Sequence, residues 1–102
     1  MTQYSVRLTQ EAQDDLKRLY EFWLERDATT ADRALAAIES GFDLLTRFPF
    51  TCRKAANGQL GTLWRELVIA FGASGYVALF EIENETTITI VAVRHQRESD
   101  YH

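Results

Sequence analysis

Ile88-Thr89-Ile90-Val91-Ala92-Val93 runs without a break into Arg94-His95-Gln96-Arg97-Glu98-Ser99-Asp100-Tyr101-His102. The stretch from Ile90 to Val93 is apolar on both faces, so this strand belongs in the middle of a sheet. Its exit delivers cationic, titratable and aromatic groups from a rigid frame, which is how small proteins fix functional side chains in place. The C-terminus is therefore where function is expected.

Upstream, Tyr76 to Glu83 and Leu63 to Phe71 read as two further strands. Gly72-Ala73-Ser74-Gly75 turns between them, and Asn84-Glu85 joins the last pair as a tight hairpin, although it is not a strong turn pair. Thr51 to Gly61, containing Asn57-Gly58, reads as a loop. At the other end Tyr4, Val6 and Leu8 alternate with polar Ser5 and Arg7, the period of a half-buried strand. Thr9 then caps a helix with the apolar stripe Ala12, Leu16, Leu19, Tyr20 and Trp23. Asp27-Ala28-Thr29 breaks it, and Thr30 with Asp32 restarts a second helix. Ala31, Ala34, Leu35, Ile38, Phe42 and Leu45 share one face of that helix, which ends at Phe48-Pro49. Two helices with a short link form an antiparallel hairpin, and the sheet is the apolar surface they cover. The fold class is α+β in one domain spanning 1–102.

The chain's 46% hydrophobic and 25% charged residues fit a globular protein of 102 residues, large enough for a core without metal or disulfide. The single cysteine, Cys52, has no internal partner and suits a reducing cytoplasm. The N-terminus lacks a signal-peptide pattern, and no apolar run reaches membrane-spanning length, so a cytoplasmic protein without membrane contact is expected. His102 reads equally as a native end or a purification-tag remnant. A net charge of −4 argues against the whole surface binding nucleic acid. From Thr9 to Phe48 nine acids face five bases, so the helical hairpin carries the entire excess and the remainder is neutral.

Arg53, Lys54 and Arg65 stand in a stretch free of acids, and the tail adds Arg94 and Arg97. If the strand of Arg65 shares a sheet with the strand of Arg94, these cations form one basic concave surface; arginines that merely solvate strand ends are the equal alternative. His95 and Tyr101 are residue types that supply general acid and base groups, yet His95 reads first as a hydrogen-bonding brace for the tail and only second as a proton-transfer group. Cys52 lacks an oriented base, two histidines and one cysteine have no metal-ligand spacing, and no phosphate-binding glycine loop appears, so neither metal nor cofactor is expected. Trp23 and Trp64 read as core or interface anchors. Phe22, Leu24 and Leu44 lie off the buried stripes and mark a second contact surface.

Trp64-Arg65-Glu66-Leu67 opening one strand, Gly75-Tyr76 opening the next, and the strand-then-basic ending resemble the RelE/ParE family of toxins from type II toxin–antitoxin pairs. The resemblance covers nearly the whole chain. It implies an N-terminal strand, the helical hairpin and a three-stranded antiparallel meander with the helices on one face. RelE-like ribosome-dependent nucleases carry a basic residue after the Gly-Tyr pair, where this chain has Val77, and a second cation where it has Leu67. His95-Gln96-Arg97 is similar to the ParE ending. The resemblance thus implies a ParE-like toxin that binds DNA gyrase, blocks replication and serves plasmid stabilisation through growth arrest. Arg94, His95, Arg97 and Tyr101 are the first choices for engaging the target, with Arg53, Lys54 and Arg65 second. A ParD-like antitoxin is implied on Leu16, Tyr20, Phe22, Trp23, Leu24 and Leu44, in a hetero-oligomer, with no sequence-specific DNA binding by the toxin alone. The alternatives are a RelE-like mRNA endonuclease using Arg65, Arg94, His95, Arg97 and Tyr101, and a decayed toxin kept as an antitoxin-binding regulator.

Overall fold

The computed structural model describes residues 3–55 and 63–98. The elements run β1 (Ser5–Leu8), α1 (Gln10–Leu24), α2 (Ala28–Leu45), a 3-10 turn (Pro49–Thr51), β2 (Arg53–Lys54), β3 (Trp64–Phe71), β4 (Ser74–Ile82) and β5 (Thr87–His95). The sheet has five strands in the order β1-β5-β4-β3-β2. β3, β4 and β5 form the antiparallel meander, and β1 joins β5 in parallel, from Ser5 against Thr87 to Leu8 against Ile90. β5 is thereby flanked on both sides, as its apolar run requires.

Both helices pack on one face. Tyr76, Ala78, Phe80 and Ile82 of β4, with Ile88, Ile90 and Val93 of β5, meet Ala12, Leu19, Ala34, Ile38 and Leu45 in one buried cluster. The Thr9 hydroxyl caps α1 by accepting from the Ala12 N–H at 3.2 Å. The same hydroxyl donates to the Val91 carbonyl at 3.3 Å, tying the helix start to a bulge in β5 where Ala92 pairs with Leu79 and Ile90 with Phe80. Past the end of β1, the Val93 N–H would lie buried without a strand partner. The Asp15 carboxylate of α1, 7% exposed, accepts it at 2.9 Å.

Several boundaries differ from those read in the sequence. α2 begins at Ala28 because Asp27 is its cap: the carboxylate accepts from the Thr29 N–H at 3.1 Å and the Thr30 hydroxyl at 2.7 Å. The β3–β4 turn has only Gly72 and Ala73 between the strands. Gly72 takes φ +63°, the left-handed first position of a II′-type turn, while Gly75 must lack a Cβ because one would strike the Ile69 main-chain oxygen. The β4–β5 hairpin is wider than Asn84-Glu85 alone: the Asn84 carboxamide oxygen accepts from the Thr86 N–H at 2.8 Å, a side-chain-closed turn inside a longer loop. β5 continues past Val93 to His95, and the stretch read as a loop from Thr51 contains the short edge strand β2. Residues 56–61 of that loop, including Asn57-Gly58, lie outside the described residues.

Candidate functional site

The chain leaves β5 through a turn held by its own polar groups. The His95 imidazole Nδ1 accepts from the Arg97 N–H at 3.1 Å, so its Nε2 carries the proton of the neutral ring and donates to the Ser74 hydroxyl at 3.0 Å. The ring stands edge-to-face on Tyr76 with centroids 5.7 Å apart. Arg94 Nη1 donates to the carbonyl oxygens of His95, Gln96 and Glu98 at 3.2, 3.3 and 2.8 Å, and the Gln96 N–H reaches the Gly75 carbonyl at 2.8 Å. Arg94 and His95 are thus committed to shaping the turn that presents the exposed Arg97.

α1 closes over this turn. Arg18 donates to both Glu98 carboxylate oxygens, at 2.9 and 3.3 Å, and its guanidinium also stands 3.8 Å from Asp15. Burial alone would raise the Glu98 pKa, but hydrogen bonds from Arg18 and the His95 main chain, with the Arg18 charge, outweigh it and hold the carboxyl below its usual range. Behind this ion pair, Leu19, Phe22, Trp23, Tyr76 and His95 line a cleft of about 290 Å³. The Trp23 indole N–H donates to the Tyr76 hydroxyl at 2.9 Å, fixing the cleft's deep wall.

The cations expected on one concave surface are divided between two. Arg65 pairs across the sheet with Phe80, whereas Arg94 pairs with Val77, three residues away on β4. An odd separation along a strand puts side chains on opposite faces. Arg65 therefore lies on the helix side, where it donates to the Cys52 carbonyl at 2.8 Å and stacks 5.2 Å from the Phe50 ring centroid. Lys54, opposite Arg65, shares that face and is exposed. Arg53 is on the far face with Arg94, and its Nε is engaged by Glu66 at 3.0 Å. Tyr101 lies outside the described residues. Burial pushes the Cys52 thiol up against the opposing pull of Arg65, the state of an unreactive cysteine.

Leu16, Tyr20 and Trp23 are half-buried, while Phe22, Leu24 and Leu44 are 49%, 47% and 49% exposed, an apolar surface on the hairpin not used by the core. Arg18, Ser74 and Glu98 were not legible as site residues. The Arg18–Glu98 pair joins positions 80 residues apart, and no local pattern marks such a contact.

A family model described as the ParE toxin of the type II toxin–antitoxin system parDE matches residues 6–100. The chain is 32% identical over 94 residues to Toxin RelE3 of Caulobacter vibrioides, covering 92% of this chain and 96% of that one. A chain of the RelBE2 toxin–antitoxin complex from Mycobacterium tuberculosis is similar with a TM-score of 0.66 and 29% identity, over 96% of this chain and 97% of that one. A chain of the chromosomal ParDE system of P. aeruginosa shares the fold with a TM-score of 0.72 at 17% identity, over 93% and 98% of the respective chains.

Proposed function

The chain belongs to the ParE toxin family of type II toxin–antitoxin systems, and from that premise we propose that it arrests growth by binding DNA gyrase rather than by cutting nucleic acid. The observation that carries this reading is the commitment of Arg94 and His95 to the turn after β5. Both imidazole nitrogens are engaged, and the Arg94 guanidinium holds three main-chain carbonyls. Cleavage through a ribose 2′-hydroxyl needs a free base, an acid and cations converging on one phosphate. Arg65 and Arg94, two of the cations such a nuclease would use, point to opposite faces of the sheet. The same turn is well built to present a fixed basic contact to a protein, with Arg97 as its exposed charge. The antitoxin is a ParD-like protein that covers the hairpin's apolar residues, in keeping with the toxin–antitoxin assemblies among the structural neighbours.

A RelE-like activity has one observation in its favour, the similarity to Toxin RelE3, and the test is arranged to expose it. Purified protein is added to gyrase with relaxed plasmid and, separately, to translating ribosomes whose message ends are mapped. Loss of supercoiling with intact message is expected. Codon-positioned cuts with unimpaired supercoiling would overturn the reading.

A further inference from the structure

The hairpin's acidity has no role in the reading above, yet it borders the cleft. Next to the cleft, and sharing Arg18 and Phe22 with it, lies a shallow hollow edged by Asp14, Lys17, Glu21 and Glu25. Glu21 and Glu25, one helical turn apart on the same side of α1, form no ion pair among the described residues. The nearby cations are already engaged: Arg18 by Glu98 and Asp15, and Arg26 by the Phe22 ring, 3.8 Å away, and the Phe22 carbonyl. Lys17 is the remaining positive charge of the hollow, against three carboxylates.

The cleft itself is apolar. Leu19, Phe22, Trp23 and Tyr76 wall it, and the rim charges Arg18 and Glu98 neutralise each other. At about 290 Å³ it sits at the lower edge of small-molecule sites, roughly 300–1,000 Å³, and fits one large apolar side chain. Phe22, 49% exposed and edge-on to Trp23 at 5.3 Å, leaves its mouth apolar. We propose that this cleft takes a single apolar side chain from a basic partner segment whose adjoining Lys or Arg settles on Glu21 and Glu25. Charge complementarity selects that partner: α1 and the whole hairpin carry the molecule's excess of acid, so a segment with acidic flanks meets repulsion where a basic one meets unpaired carboxylates. The proposal deepens the toxin reading by giving the chemistry of the antitoxin segment, and rests on that reading only for the partner's identity.

The test uses the full chain and two synthetic helical peptides with the same Leu and Trp face, one flanked by Lys and the other by Glu. Binding is read from the Trp23 indole N–H and Tyr76 resonances. The Lys peptide is expected to bind about tenfold tighter, an advantage that shrinks with added salt. The exposed pair Glu21→Lys with Glu25→Lys should invert the preference, and Glu21→Gln with Glu25→Gln should erase it. Peptides that leave the Trp23 and Tyr76 signals unmoved, or a preference that survives charge reversal, would overturn the proposal. A chain that discriminates the peptides but does not arrest growth loses the toxin reading and keeps this one.

Discussion

Tyr76 joins helix, sheet and turn: its hydroxyl accepts from Trp23, its ring supports His95, and it is 1% exposed. Tyr76→Phe leaves the Trp23 indole donor unmatched in a half-buried wall, so a loss of about 1 kcal/mol is expected in urea unfolding, with the cleft loosened. Glu98 gives the turn a pH dependence. Its folded pKa lies below the unfolded value of about 4.3, so its stabilisation is complete above that value and is lost as the pH falls through the depressed folded one. An NMR titration of the Glu98 carboxyl and of the His95 main-chain N–H that donates to it should show the turn releasing only below the free-glutamate value of about 4.3. A midpoint above the free-glutamate value would contradict the Arg18 latch. Of these residues, His95 was legible from its place after the strand, and one of its two sequence readings, as a brace, describes its contacts. Arg18 and Glu98 were not, because their meeting depends on how α1 crosses the end of β5.

The elements themselves were largely legible, because periodicity reports burial. The alternation in β1, the two helical stripes and the fully apolar β5 each name the face that is covered. What escaped was register. Whether Arg65 and Arg94 share a face depends on which β4 residue each opposes, and a shift of one position in either ladder would reverse the answer. The parallel docking of β1 on β5 also left no mark in composition. It leaves the upper part of β5 unpaired beyond Leu8, and Asp15 completes that edge. Asp15→Ala therefore strands a buried N–H and should cost about 1–3 kcal/mol in denaturant unfolding. Asp15→Asn keeps an acceptor and should cost less. Equal losses for the two variants would indicate that the carboxylate's charge, rather than its acceptor, matters there.

Taken whole, the molecule divides into an acidic helical layer and a neutral sheet layer whose described end carries a stiff basic turn. The division was readable in the order of charges along the chain, since the two layers occupy separate stretches of sequence. Under the proposed function, two partners occupy two surfaces: a basic, apolar-anchored segment the hairpin and the growth-arrest target the turn after β5. The most direct measurement is growth arrest by the double variant Arg94→Ala with Arg97→Ala at matched expression, with its melting curve recorded beside that of the unmodified chain. The account predicts that arrest is relieved while cooperative folding and antitoxin binding persist. Full arrest by that variant would contradict it, because the effector surface would then lie elsewhere.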